Sequence, residues 1–250
     1  MRLTRVFVDR LLAGRDSVRL TEDAANHVAR VLRLGAGDAL VLFDGRGGEY
    51  AATISQVDKR SVDVALGAHD AVERESPLRV TLLQGMARGE RMDLIIQKAT
   101  ELGVHAVRPL RAQRSSVKLD ASQATRKLEH WQAVAVSACE QSGRNTVPRL
   151  LPPLTVAEAC AADDCGLKLM LAVDGACPLS ALLREADADT IARGITLLVG
   201  PEGGLDDAEE AAARRAGFVS TLLGPRVLRT ETAPLAALAA LQALAGDFDR

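Results

Sequence analysis

The chain has 250 residues, 48% of them hydrophobic and 26% charged, with a formal net charge of −2. That is the composition of a soluble globular protein with room for one large domain, or a medium one plus a small one. No apolar run approaches the roughly 18 residues of a membrane span, and the opening MRLTRVFVDR lacks the continuous apolar stretch of a signal peptide, so a cytoplasmic protein is expected.

The first 75 residues predict short strands at 4–9, 38–45, 49–57 and 61–67, parted by glycine turns such as Gly45-Arg46-Gly47-Gly48. One helix interrupts them. Thr21 can cap it, Glu22 and Asp23 suit its positive end, and Val28, Val31 and Leu32 form its expected apolar face, with His27 as a packing residue. This is the pattern of a small β-barrel-like module.

From about Leu78 strands alternate with helices. A strand at 78–85 leads to a helix on which Met92, Ile95, Ile96, Ala99 and Leu102 share one face, closed by Gly103. A strand at 104–110 and a long helix at 126–143 follow, then the Pro152-Pro153 break. Strands at 167–173, 195–199 and 218–223 then alternate with helices at 178–186 and 206–216. The alternation predicts a mostly parallel sheet with helices on both faces, and the boundary between modules falls near Val72–Pro77. In the last helix, 233–245, Gln242 is the only polar side chain. Such a helix is buried within its domain or covered by a second subunit, and a homodimer is the expected arrangement. Cys139, Cys160, Cys165 and Cys177 form no C-x-x-C pair and read as free thiols, so no metal site is expected.

Charge is unevenly distributed. Residues 76–150 carry 12 Lys+Arg against 6 Asp+Glu, whereas residues 151–250 carry 8 against 15. A basic block in an acidic chain points to a polyanionic partner.

Three turns stand where the carboxyl ends of parallel strands should be: Ala172-Val173-Asp174-Gly175, Gly200-Pro201-Glu202-Gly203-Gly204 and Leu223-Gly224-Pro225-Arg226. Open α/β sheets bind ligands at such ends. Neither phosphate-binding glycine motif, G-x-x-x-x-G-K-[ST] or G-x-G-x-x-G, occurs, and Glu202, Asp206 and Asp207 would repel a phosphate. An acidic turn with apolar walls suits a ligand that is neutral or positive at its reactive end, a description that S-adenosylmethionine meets.

The stretch LLVGPEGGLDDAEEAAARRAGFVSTLLGPRVLRTETA, residues 197–233, resembles the cofactor-binding region of the SPOUT RNA methyltransferases. HVARVLRLGAGD, GERMDLIIQKATELGV, the pair Arg114-Ser115, and EQSGR are similar, in the same order, to one branch. That branch is the bacterial 16S ribosomal RNA uracil-N3 methyltransferases that modify U1498 of the small subunit. The resemblance implies a PUA-like RNA-binding domain over 1–74 and an α/β methyltransferase domain over 75–250 with a deep trefoil knot at about 195–245. It also implies an S-adenosylmethionine site walled by Gly200, Glu202, Gly203 and Gly204 after Val199, by Leu223, Gly224, Val227 and Leu228, and by the turn after Leu171.

The chemistry of N3 methylation calls for a proton acceptor and for stabilisation of charge on the uracil carbonyls. Arg229 is the first candidate for the second task, and Glu231 is either the acceptor or an orienting partner of Arg229; Thr230 or Thr232 could cap the final helix. RNA contacts are expected from Arg5, Arg30, Arg33, Arg108, Arg111, Arg114, Ser115, Lys118 and Arg144. With few aromatics to stack on bases, an assembled subunit is the expected substrate. Two other readings remain: a knotted methyltransferase acting on a ribose 2′-OH or a guanine, and a non-catalytic RNA-binding assembly factor.

Overall fold

The computed structural model describes residues 3–162, 166–173 and 177–248. Two compact units emerge, Met1–Glu75 with Val136–Val147, and Ser76–Ala135 with Pro148–Arg250.

The first unit is built on β1 (Arg5–Phe7), β2 (Ser17–Arg19), α1 (Glu22–Asn26), β3 (Ala39–Phe43), β4 (Glu49–Val57) and β5 (Val62–Asp70). The strands form one curled sheet in the order β1-β3-β4-β5-β2, antiparallel except for the β1–β3 pair. Alternating residues such as Leu40 and Leu42, Ala52 and Ile54, and Val62 and Val64 face one core with Val28. Strand β2, which no expected element covered, is three residues long.

Thr21 caps α1 by accepting the Ala24 N–H, as its position suggested. Beyond Asn26 the helix widens into a π-turn over His27–Val31, closed by the Leu32 N–H bond to the His27 carbonyl. An i→i+5 bond inserts a residue into the turn, so residues after it leave the face that α1 buries. Val28 stays in the core, but Val31 is 68% exposed, and Leu32 and His27 also face solvent, contrary to the apolar face and packing role expected of them.

Arg5 and Arg144 were expected on an RNA-binding surface; they are instead 7% and 5% exposed. The Arg5 guanidinium pairs with Glu49, donates to the Arg144 carbonyl at 3.1 Å and to Asn145 Oδ1 at 2.6 Å, and lies 4.7 Å from the centre of the Phe43 ring. Arg144 pairs with Glu75, and Glu140 accepts the Phe7 N–H at 3.0 Å. A rigid fork of five donors can satisfy two chain segments at once. These bonds are what tie Val136–Val147 to the sheet.

The second unit has β6 (Val80–Gly85), α2 (Glu90–Glu101), β7 (Ala106–Arg111), α3 (Ala121–Ser142), β8 (Arg149–Leu150), β9 (Leu154–Thr155), α4 (Val156–Ala162), β10 (Leu167–Leu171), β11 (Cys177–Pro178), α5 (Leu179–Glu185), α6 (Ala188–Ala192), β12 (Ile195–Val199), α7 (Asp207–Arg215), β13 (Val219–Leu222) and α8 (Thr232–Ala245), the end of α3 belonging to the first unit. Its sheet runs β11-β13-β10-β12-β6-β7-β8, with β9 also on β7, and every pairing is parallel. All five residues of β12 are buried, as in a strand covered on both faces. On α2 the expected stripe of Met92, Ile95, Ile96 and Ala99 is buried, and Gly103, at φ +79°, follows its end.

Helix α3 starts at Ala121, earlier than periodicity suggested, because Asp120 and Gln123 cap it reciprocally. In α8, Pro234, Ala237, Leu238 and Leu241 are buried, and so is Gln242, the one polar residue. Its amide donates to the Leu102 carbonyl at 3.0 Å and accepts from Ser76 Oγ at 2.6 Å, serving the frayed end of α2. Cys139 is a buried free thiol, Cys160 is buried, and Cys177 is a partly exposed free thiol; Cys165 lies outside the described residues. Burial pushes the Cys139 thiol up to about 12. Among the described residues no helix is long and apolar enough to cross a membrane.

Glu49 anchors the first unit and sets part of its acid sensitivity. Burial pushes its carboxyl up, but the hydrogen bonds and charges of Arg74 and Arg5 outweigh this and hold it below the ordinary range. A depressed pKa contributes stability that is complete above about pH 4.3, the unfolded value, and lost as pH falls through the folded one. Arg5→Ala should cost about 3 kcal/mol in urea unfolding at pH 7. Glu49→Gln should remove part of the wild-type loss of stability on acidification; an unchanged slope would exclude this carboxylate as a contributor.

Candidate active site

Strand β10 lies between β12 and β13, and all three are parallel. Their carboxyl ends therefore emerge side by side. The segments that leave them enclose a cavity of about 580 Å³, lined by Leu171 and Val173, by Val199 to Leu205, and by Leu223, Gly224 and Arg226 to Glu231. Each residue expected in a cofactor site (Leu171, Val199, Gly200, Glu202, Gly203, Gly204, Leu223, Gly224, Val227, Leu228) lines it, as do Arg229 and Glu231. The Asp174-Gly175 part of the first turn lies outside the described residues.

The glycines have different reasons to be glycine. At Gly203 a Cβ would stand 2.9 Å from the Arg114 carbonyl oxygen, and at Gly200 it would crowd Gly204 and Leu205. Protein backbone alone makes a side chain costly at Gly203 and crowds one at Gly200. Gly204 and Gly224 adopt φ +70° and +83° with open space where a Cβ would be, so backbone conformation is what favours glycine there. Gly85, at the end of β6, is a further requirement: a Cβ would collide with the nitrogen of Pro201.

The segment before α8 is bound down to the floor of this site. Thr230 Oγ1 donates to the Gly200 carbonyl at 3.0 Å and accepts from the buried Gln84 amide at 3.4 Å. Glu231 occupies the N-cap position of α8, with no capping hydrogen bond from its side chain, so neither Thr230 nor Thr232 takes that role.

Three charged side chains, Glu202, Arg91 and Glu231, meet at the wall. Glu202 accepts from the Arg88 N–H at 3.1 Å and from Arg91 Nη1 at 3.0 Å. Burial pushes its carboxyl up, but these bonds and its own N–H outweigh that and hold it below the usual carboxylate range. Arg91 also approaches Glu231, Nε to Oε1 at 3.9 Å. The partner of Glu231 is thus Arg91 rather than Arg229, whose guanidinium is exposed and makes no ion pair or hydrogen bond among the described residues.

Arg91 was missed in the sequence. Its signal is a cation in the first turn of α2, where the helix dipole disfavours positive charge unless carboxylates compensate it.

The expected RNA-contacting residues are dispersed. In the first unit, Arg30 and Arg33 are exposed, Arg30 donating to the Lys59 carbonyl at 3.3 Å. Arg30 lines a groove of about 250 Å³ between the π-turn and the β4–β5 hairpin together with Lys59 and Arg60, which sequence reasoning did not single out. In the second unit, Lys118 is exposed, Arg111 pairs with Glu158 at 3.6 Å, and Arg108 donates to the Pro152 carbonyl at 3.0 Å. Arg114 lines the cavity and donates to the Leu205 carbonyl at 2.9 Å. Ser115, expected to donate to a phosphate, is 5% exposed and donates to the Met86 carbonyl at 3.0 Å; it braces the loop.

Known proteins bear on this geometry. The family model of an RNA methyltransferase domain matches residues 74–242, and that of an RNA methyltransferase PUA domain matches residues 20–66. Ribosomal RNA small subunit methyltransferase E of Bacillus subtilis is 35% identical over 225 residues, 89% of this chain and 88% of its own. The chain belongs to this family. The crystal structure of a family member from Neisseria gonorrhoeae bound to S-adenosyl methionine is 40% identical with a TM-score of 0.92, covering 99% of this chain and all of its own. A Legionella pneumophila chain solved in complex with the bound cofactor SAM is 36% identical with a TM-score of 0.93 and the same coverage. The first unit is accordingly the PUA-like domain and the second the parallel-sheet methyltransferase domain.

The glycine geometry makes a graded prediction. Gly85→Ala and Gly203→Val should each lower stability by about 2–3 kcal/mol through overpacking against backbone. Gly224→Ala should lower it by roughly 1 kcal/mol, from backbone conformation alone. Urea denaturation of the three variants measures this, and equal losses would contradict the distinction.

Proposed function

We propose that this protein methylates N3 of a single uridine, U1498, in 16S ribosomal RNA of the small subunit, using S-adenosylmethionine. The observation that carries the reading is the cavity at three adjacent strand ends, with an arginine unpaired among the described residues and a loosely held glutamate on its wall, in a chain that belongs to a ribosomal RNA methyltransferase family.

The residues fit the cofactor. About 580 Å³ is within the ordinary range for a small-molecule site. Leu171, Val199, Leu223, Val227 and Leu228 offer apolar walls for an adenine, and the turns offer backbone donors and acceptors close to the ligand. When bound, S-adenosylmethionine supplies a methyl group on a positively charged sulfur.

The chain's own groups do the rest. Uracil N3 carries a proton and is a weak nucleophile until that proton leaves. Glu231 takes the proton, and the N3 lone pair forms the new bond to carbon as the carbon–sulfur bond breaks. Negative charge on the flanking uracil oxygens is met by Arg229, which has no competing partner among the described residues. The Thr230 bond to Gly200 holds the segment carrying both groups against the turn, keeping them in reach of the reacting atoms.

RNA binding is assigned to exposed cations on each unit: Arg30 and Arg33 on the first, Lys118 and the partly engaged Arg108, Arg111 and Arg114 on the second. The local bonds of Arg111 and Arg114 orient them while leaving donors over for phosphates. We take 195–245 as the knotted segment, a reading supported by the seating of the 223–231 chain on Gly200. We also read the protein as cytoplasmic and as a homodimer. Leu244, 54% exposed at the end of an otherwise apolar α8, supports an apolar interface. Light scattering should give twice the chain mass, and Leu244→Glu should shift it toward the monomer.

The decisive experiment incubates the protein with labelled S-adenosylmethionine and small subunits lacking the modification, then identifies the labelled nucleoside. The expected product is 3-methyluridine; a methylated ribose or guanine would move the protein to another branch. No transfer and no cofactor binding would make it an assembly factor. Arg229→Ala should lower kcat about 100-fold, with cofactor affinity near wild type. Gly224→Ala should fold and bind cofactor more weakly.

A further inference from the structure

We propose that Arg91 is a positioning residue: anchored on Glu202, it holds the Glu231 carboxylate on the cavity wall in the orientation that proton removal from uracil N3 requires. The inference rests on the reading of Glu231 as proton acceptor.

Glu231 is not held by its own helix. It occupies the N-cap of α8, where a carboxylate could accept a backbone N–H, yet its side chain makes no capping bond. The side chain is 19% exposed and lines the cavity, and its ion-pair partner is Arg91 at 3.9 Å. Arg91 in turn is fixed elsewhere. Its Nη1 donates to Glu202 at 3.0 Å, and Glu202 is itself pinned by the Arg88 N–H at 3.1 Å. The guanidinium therefore bridges two carboxylates unequally, tightly to Glu202 and loosely to Glu231.

That inequality suits the task. A contact of 3.9 Å exceeds hydrogen-bond distance, so it orients Glu231 by charge while leaving its oxygen lone pairs open to a substrate proton. A bond near 3 Å would have occupied one of them. The bridge also explains a cation in the first turn of α2, where the helix dipole opposes it. Lysine, a point charge on a flexible stem, cannot span both carboxylates as a planar fork does.

The test is steady-state kinetics of the full-length protein on unmodified small subunits, with cofactor affinity and melting temperature measured for each variant. Arg91→Gln should lower kcat about 100-fold, with cofactor affinity and melting temperature close to wild type. Arg91→Lys should recover less than about a tenth of the lost rate, because charge without the bridge does not orient Glu231. The double variant Arg91→Gln/Glu231→Gln should be no slower than Glu231→Gln alone, since Arg91 acts through that carboxylate. Full kcat in Arg91→Gln or Arg91→Lys, or fully multiplicative losses in the double variant, would overturn the proposal. So would a loss that follows only cofactor affinity or melting temperature. The two readings fail separately. Wild-type protein that makes no 3-methyluridine defeats the proposed function, whereas wild-type activity with an unaffected Arg91→Gln defeats only the role of Arg91.

Discussion

The site depends on one constraint, the parallel pairing of β10 with both β12 and β13. Parallel strands expose their last carbonyls and the N–H groups that follow at one edge of the sheet, and three such edges here are neighbours. The chain is obliged to turn there three times within a narrow space. Glycine is the residue that permits this, at Gly200 and Gly203 because backbone passes close and at Gly204 and Gly224 because the turn is left-handed. The cavity is thus a consequence of topology before it is a device for a ligand.

A second layer of polar contacts converts that topology into fixed geometry. Gln84, fully buried at the end of β6, reaches Thr230, and Thr230 reaches Gly200. The chain entering α8 is thereby attached to the two central strands of the sheet. Gln242 does similar work at the far end of α8, donating to the Leu102 carbonyl just past α2. In the low dielectric of the interior such bonds are expensive to leave unmade, so both ends of a helix with little amphipathic preference acquire a defined position. Arg229 and Glu231 inherit their placement from this segment.

What was legible in the sequence follows from how local the cause was. The α2 stripe, the all-apolar β12 and the helix expected at 206–216, which Asp206 and Glu209 cap, depend on neighbours in the chain, and they appear where the sequence pattern put them. The cavity residues are named from the resemblance of residues 197–233 to the SPOUT cofactor region, and the fold gathers them at three adjacent strand ends. Helix α4 escaped notice although Thr155 and Glu158 form a capping box that a closer look at TVAE would reveal. The π-turn could not be read, because HVARV fits an ordinary helix face until one residue too many is packed into the turn. Nor could the fates of Arg5 and Arg144, whose partners lie far along the chain. A count of basic residues treats a buried guanidinium and a solvated one alike.

That last distinction changes how the charge asymmetry is understood. The basic middle of the chain is not simply a surface offered to a polyanion. Part of it is consumed in joining segments: Arg144 binds Glu75, and Arg91 links the entry of α2 to the glycine turn. The Arg144–Glu75 pair is largely buried, where salt screens weakly, and both pairs serve geometry. On the proposed reading the arginines that would meet RNA are the exposed ones, and their effect on binding would weaken with ionic strength as phosphate contacts do. Within one block of sequence, a cation's partners therefore decide more than its charge: Arg144 and Arg91 are taken up by carboxylates, whereas Lys118 stays solvated.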